Sequence, residues 1–389
     1  MLARAASSRS RLAGPRAAIA LACTVALSAA CATLDGTSND GVNLPSAGDG
    51  PFRPLVGAEL AVGAVPPYVF GVQAQAYEQP SAVGVNDDPS SAEVWMYCVA
   101  HPKGGAVIVR THALDGRSFY GDATDNEDTS HPAHAAPTVL SADQAWEGGT
   151  VTAPSALRAN GQVWLYYAGA GGIGVAQSSD GLSFTKVPQP VLTPDATATW
   201  ETSTPGAPSV AVFPDGTWHM LYAAGGAIGE ATSPDGLTWT RADGNPILAP
   251  SPTVDPSTLG PGETPPFDEG SVDDPVLAPQ TTFDGRFQVR VLYTGYLEAP
   301  GGTAVRDSAI GVAGRFGTSG PLTRQAAPTY TAKLHERAAA FFEYAGGSLL
   351  YVGEDDTSLS STSPFPGIAG AYAPATETLP PPSAFADSP

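Results

Sequence analysis

The sequence predicts an all-β fold, a five-bladed β-propeller of four-stranded antiparallel blades, on three observations. Residues 164–180 align without a gap with residues 219–235, and both stretches continue into Asp-Gly-Leu-(Ser/Thr)-aromatic. The aspartates of this motif stand 55 residues apart (Asp180 to Asp235) and 65 apart (Asp115 to Asp180), too long for an ordinary solenoid unit and suited to a large propeller blade. The 44 glycines and 38 prolines fall mostly between aromatic and β-branched runs, as many short strands joined by turns require.

The N-terminus reads as an export signal over residues 1–31. Arg4, Arg9, Arg11 and Arg16 precede the apolar run Ala17–Ala30, which is too short to span a bilayer and ends in small residues. Leu27-Ser28-Ala29-Ala30-Cys31 resembles the lipobox of bacterial lipoproteins, in which the cysteine is lipidated and becomes the new first residue. This predicts an envelope lipoprotein of the outer membrane or periplasm; cleavage by the ordinary signal peptidase, giving a secreted protein, is the alternative. Residues 32–52, rich in Gly, Ser, Asp and Asn, read as a flexible tether, 53–378 as the propeller and 379–389 as a disordered tail.

The blades follow in order. The run Leu55–Val72 supplies a strand that closes the ring against the last blade, which removes an exposed edge. The first copy runs from Tyr77-Glu78-Gln79-Pro80-Ser81 through Trp95-Met96-Tyr97 and Val107–Val109 to Asp115-Gly116. The second opens at Trp146-Glu147 and passes Ala153-Pro154-Ser155, Tyr167 and Ile173-Gly174 before Asp180-Gly181. The third repeats this as Trp200-Glu201, Ala207-Pro208-Ser209, Tyr222, Ile228-Gly229 and Asp235-Gly236. The fourth is looser, with Phe267-Asp268-Glu269, Asp274-Pro275, Tyr293 and Ile310-Gly311. The fifth keeps only His335-Glu336, Phe341-Phe342, Leu350-Tyr351 and Ile368–Ala371.

Strand alternation assigns Tyr97, Tyr167, Tyr222, Tyr293 and Tyr351 to packing between blades. Asp115, Asp180 and Asp235 are turn-formers, because Gly accepts positive φ and Asp bonds the backbone two residues on. Cys98, in the strand-like run Val94–Val99, reads as a buried apolar filler.

Charge narrows the function. The net charge of −20 becomes −24 when the four arginines of residues 1–31 are subtracted, and such a chain repels phosphate backbones and anionic lipid. Nucleic acid is excluded as a partner, and contact with the membrane is expected through the lipid anchor only.

The repeated motif resembles the five-bladed glycosidase propellers related to glycoside hydrolase families 43, 32 and 130. Ser178-Ser179-Asp180-Gly181, Ser233-Pro234-Asp235-Gly236, Pro190-Val191-Leu192 and Pro246-Ile247-Leu248 carry the likeness, which covers roughly residues 75–355. Sialidase propellers place one more residue between Asp and Gly and need an arginine cluster to clamp a carboxylate; Arg337 is the one arginine here in a blade-opening segment.

In such propellers acids placed before the innermost strand converge on one pocket, and Glu78, Glu147, Glu201, Asp268, Glu269, Asp273, Asp274 and Glu336 occupy such places. Glycoside cleavage needs one protonated acid and one opposing carboxylate, about 6.5–9.5 Å apart for inversion. The expected catalytic set is Glu147, Glu201, Asp274, Glu78 and Glu269, with Trp146, Trp200 and Phe267 as sugar-stacking rings. The alternative is that an acid recurring in every blade serves the fold, and that the rings beside it plug the blade junctions. The family's Asp-Pro pair falls at Asp274-Pro275, in the fourth copy, and Glu269-Gly270 is followed by Ser271 in place of Pro.

His131 and His134, among Asp122, Asp125, Glu127 and Asp128, form a solvated loop or, alternatively, a metal site without zinc spacing. No cofactor is required; an axial calcium ion, as the resemblance allows, has no assignable ligands in the sequence. The expected function is hydrolysis of neutral glycosidic bonds by a monomeric protein, with a non-catalytic surface propeller that binds glycan or protein as the alternative.

Overall fold

A computed structural model describes residues 53–54, 77–119 (apart from 89, 103–104, 115 and 117–118), 136–281, 286–297, 307–330, 335–344, 347–355 and 367–374. Its strands form five four-stranded antiparallel sheets. The first holds β2 (Tyr77–Gly84), β3 (Val94–Ala100), β4 (Val107–Ala113) and β5 (Thr138–Leu140). The second holds β6 (Thr152–Ala159), β7 (Gln162–Gly169), β8 (Gly172–Ser178) and β9 (Thr185–Lys186); the third holds β10 (Gly206–Val212), β11 (Trp218–Ala224), β12 (Ala227–Ser233) and β13 (Thr240–Arg241). The fourth consists of β14 (Ser271–Thr281), β15 (Phe287–Tyr296), β16 (Ser308–Phe316) and β17 (Thr323–Arg324). The fifth joins β18 (His335–Tyr344), β19 (Gly347–Asp355) and β20 (Gly367–Pro374) to β1 (Arg53–Pro54).

The inner strands close a cycle, β2 on β6, β6 on β10, β10 on β14, β14 on β18 and β18 on β2. The hydrophobic core is divided accordingly into five clusters, each at the junction of two neighbouring sheets. Met96 and Cys98 meet Leu349 and Tyr351 between the first and fifth, for example, while Tyr166 and Val175 meet Trp218 and Met220 between the second and third. Each fully buried ring contributes roughly 2–3 kcal/mol by leaving water, so the ring of sheets is stabilised at its seams. Cys98 is one of these seam residues, and burial pushes its thiol up to about 12, which suits an inert filler.

Three findings refine the sequence-based expectations. The strand that closes the fifth sheet is Arg53–Pro54, paired with Tyr372 and Ala371, and Leu55–Val72 lies outside the described residues. The repeated tyrosines divide into two kinds. Tyr97, Tyr166 and Tyr351 donate their hydroxyls to the carbonyls of Gly181, Gly236 and Gly116 in the next sheet, at 2.9, 2.7 and 2.5 Å. Tyr167, Tyr222 and Tyr293, one place further along the repeat, bond an acid in the loop before the inner strand of their own blade. Asp180 and Asp235 form turns as expected: each Oδ1 accepts two backbone N–H groups at 2.8 Å and a serine hydroxyl. Asp115 lies outside the described residues. The Asp-Gly pair thus has two jobs, folding the hairpin and presenting the glycine carbonyl to the neighbouring blade.

Candidate active site at the start of the inner strands

Each inner strand breaks register at the same place, between Glu78 and Ser81, Thr152 and Ser155, Gly206 and Ser209, Asp273 and Val276, and Arg337 and Ala340. Within each break one non-glycine residue has positive φ: Gln79 (52°), Ala153 (47°), Ala207 (43°), Asp274 (46°) and Ala338 (49°). An L-residue held there costs on the order of 1–2 kcal/mol, and such bulges re-aim side chains beside functional sites.

Bonds between blades offset that cost. Ser81, Ser155 and Ser209, which follow the proline of the repeat, accept the N–H of Ala156, Val210 and Leu277 in the next blade at 2.9, 3.1 and 2.8 Å. Gln79 Oε1 accepts the N–H of Ala153 at 3.0 Å, and Thr294 Oγ1 that of Ala338 at 2.9 Å.

The five bulges differ in chemistry. The residue before the bulge and the bulge residue itself are Thr152-Ala153 and Gly206-Ala207 in the second and third blades, but Asp273-Asp274, Arg337-Ala338 and Glu78-Gln79 in the fourth, fifth and first. These three blades are neighbours around the ring. Arg337 donates to Glu78 Oε2 at 2.6 Å, and His101, just beyond β3, bonds Glu78 Oε1. The side chains of Glu78, Arg337 and His101 are 16%, 30% and 36% exposed, so solvent reaches this group.

Asp274 is held by Thr294 Oγ1 at 3.3 Å, while its own N–H bonds Asp273 Oδ1 at 2.8 Å. Burial and the adjacent negative charge of Asp273 push the Asp274 carboxyl up to about 7, against the opposing pull of Arg337, Thr294 and the Ala338 N–H. A carboxyl raised to about 7, close to a guanidinium that is paired with another carboxylate, is equipment for acid–base chemistry.

The recurring acids Glu147, Glu201 and Asp268, of which the first two belong to the expected catalytic set, have other partners. Each is buried and closes a repeated triad of acid, tyrosine and cation. Glu147 Oε1 accepts from Tyr167 at 2.8 Å and from Lys186 at 2.6 Å. Glu201 Oε1 accepts from Tyr222 at 2.7 Å and from Arg241 Nε at 2.6 Å, with a second guanidinium bond to Oε2 at 2.8 Å. Asp268 Oδ2 accepts from Tyr293 at 2.9 Å and from Arg324 at 2.6 Å. Burial pushes Glu147 and Glu201 upward, but their cation, tyrosine and backbone partners outweigh it and leave both below the usual carboxylate range. With every strong partner internal, these acids tie the loop before the inner strand to the outermost strand of the same blade.

The rings expected to stack on sugar pack against the triad tyrosines. Trp146, Trp200 and Phe267 lie on Tyr167, Tyr222 and Tyr293 with centroids 5.7, 5.7 and 6.0 Å apart. Gly174 and Gly229 of the Ile-Gly motif make room for the indoles: a Cβ there would come within 2.6 and 2.5 Å of the Trp146 and Trp200 rings.

Of the remaining candidates, Glu269 accepts the N–H of Val254 at 3.1 Å in the loop before β14. The Glu336 side chain, His131 and His134 lie outside the described residues. Among the described residues no group of three or more His, Cys, Asp or Glu side chains is placed to hold a metal ion. Sequence reasoning named Glu78 and Asp274 as candidates and Arg337 without a role; it did not name His101 and Thr294, which the fold places against those two acids. Aligning the five residue pairs before the inner-strand Pro or Ala would have exposed the three charged copies.

The sequence matches no family model and no curated protein. Solved structures with the same fold include one from a study of glycoside hydrolases in the GH130 family of mannoside phosphorylases that target β-1,2-mannosidic linkages in Candida mannan, at 16% identity and a TM-score of 0.57, covering 86% of this chain and 97% of that one. A BT0996–RGII complex aligns at 16% identity and 0.56, covering 85% and 95%. A glycosyl hydrolase from Bacteroides ovatus aligns at 15% and 0.56, covering 85% and 98%. This chain has the fold of the glycoside hydrolase propellers.

Proposed function

We propose that the protein is an exported glycoside hydrolase whose active site is the charged sector formed by the fourth, fifth and first inner strands. The observation that carries this reading is the break in the repeat: ionisable side chains replace Thr, Gly and Ala at equivalent places on three adjacent strands only. Asp274 is the general acid, which gives its proton to the leaving glycosidic oxygen. Glu78, ion-paired with Arg337 and bonded to His101, is the opposing carboxylate. The propeller glycoside hydrolases among the structural neighbours support a carbohydrate substrate. The absence of charge at Thr152 and Gly206 leaves a neutral, small-residue sector on the other side, which suits an uncharged sugar.

Cys31 carries a lipid anchor that places the propeller on the cell envelope. Incorporation of labelled palmitate that disappears in Cys31→Ala is the check on this part.

The activity is tested on chromogenic pentosides, hexosides and fructosides with the wild-type protein, Asp274→Asn and Glu78→Gln. Hydrolysis abolished or strongly reduced in both variants supports the assignment. Hydrolysis indifferent to both removes it, and glycan binding without turnover replaces it with the surface-binding alternative.

A further inference from the structure

The five blades serve as controls for one another at a second position. The residue after the triad tyrosine is Ala168 in the second blade and Ala223 in the third, but Thr294 in the fourth. Thr294 is wholly buried and stands across the sheet from the bulge that carries Asp274. Its hydroxyl has one proton and two lone pairs. The Ala338 N–H takes a lone pair at 2.9 Å, and the proton goes to Asp274 Oδ2 at 3.3 Å. One side chain therefore joins the acid of the fourth blade to the residue next to Arg337 in the fifth, and Arg337 reaches Glu78 of the first. No other described blade carries a hydroxyl at this position: the first and fifth have Val99 and Gly353.

We propose that Thr294 is a positioning residue that orients the Asp274 carboxyl and sets its place relative to the Arg337–Glu78 ion pair. This rests on the reading of Asp274 as the acid. Because Thr294 takes Oδ2, the proton that Asp274 donates is directed to Oδ1. Among the described residues, the titratable and charged groups around Asp274 are Asp273 on its own strand and Arg337 on β18, with Glu78 and His101 beyond Arg337. Among these, Thr294 favours the ionised acid, so its loss moves the titration of Asp274 to higher pH.

The test is a titration of the full chain labelled at the aspartate carboxyl carbons, read by NMR without substrate, with Asp274→Asn identifying the resonance. In Thr294→Val the Asp274 midpoint rises by about half a unit to one unit, and Thr294→Ser restores it. If valine prevents folding, Thr294→Ala takes its place, since alanine is the residue that the second and third blades carry there. A midpoint unchanged in a folded variant, or a rise that serine does not reverse, overturns the proposal. Because no substrate is present, failure of glycoside hydrolysis and failure of this inference are separate results. Where hydrolysis is observed, the alkaline limb of the kcat profile moves with the same midpoint.

Discussion

Arg337 of the fifth blade and Glu78 of the first, 259 residues apart in sequence, meet at 2.6 Å where the ring closes. The pair links the blade that begins the repeat to the blade that ends it, and it stands beside Asp274 of the fourth. If this cation sets the charge balance of the site, Arg337→Met lowers kcat/KM on any hydrolysed glycoside by roughly 10²-fold or more, while Arg337→Lys, a point charge without the planar fork, recovers part of the loss. Steady-state kinetics of the two variants decide this; equal activity in Arg337→Met would remove the pair from the mechanism.

In the proposed mechanism the alkaline limb of activity belongs to Asp274. Asp274 must hold its proton to act, and its carboxyl stands at about 7, so kcat declines as pH rises through that value. A pH–rate profile flat between pH 6 and about 9 would contradict the assignment.

The same shift has a stability consequence with a definite sign. Asp274 titrates near the ordinary aspartate value of 3.8 when unfolded and near 7 when folded. The folded state therefore binds the proton more tightly, and its advantage is complete below about pH 4 and is lost as pH rises toward 7. Asparagine does not titrate, so the Tm of Asp274→Asn gains on wild type between pH 4 and 8, by the equivalent of up to about 4 kcal/mol. Thermal unfolding across that range measures it, and a constant difference would refute it.

The triad acids behave oppositely. Glu201→Gln leaves the partly exposed Arg241 without its charge partner and lowers stability by roughly 2–4 kcal/mol, with specific activity per folded molecule unchanged. Both Glu147 and Glu201 lie below their usual range, so the stability they provide is present above about pH 4.5 and is lost on acidification through their folded values. Loss of turnover in a Glu201→Gln protein of intact fold would return this residue to the catalytic set.

The hydroxyl latch between blades is tested by Gly181→Ala. Gly181 has φ 70°, and a Cβ would lie 2.7 Å from the Trp95 ring and 2.9 Å from the Tyr97 hydroxyl. Strain and displacement of Tyr97 together lower stability by about 2–3 kcal/mol, against about 1 kcal/mol for Tyr97→Phe, which only removes the bond. Denaturant unfolding of both variants ranks the two effects.

Much of this architecture can be read from the chain. Asp180-Gly181 and Asp235-Gly236 carry their turn geometry locally, and the recurrence of Pro-Ser, Tyr and Ile-Gly announces a stack of equal sheets because each unit buries its faces only against a neighbour. The position of Asp274 before Pro275 was visible in the same way.

What recurrence does not convey is where a side chain points. Glu147 and Glu201 repeat because Tyr167 and Tyr222 and the cations Lys186 and Arg241 recur with them, and that set is completed only when the fourth strand folds back beside the loop. Glu78, Asp274 and Arg337 look unrelated in sequence because each departs from the repeat, and ring closure makes their three strands adjacent. Local propensity and periodicity determined the blades; contacts over tens to hundreds of residues decided which carboxylates are tied up inside one blade and which come together across three.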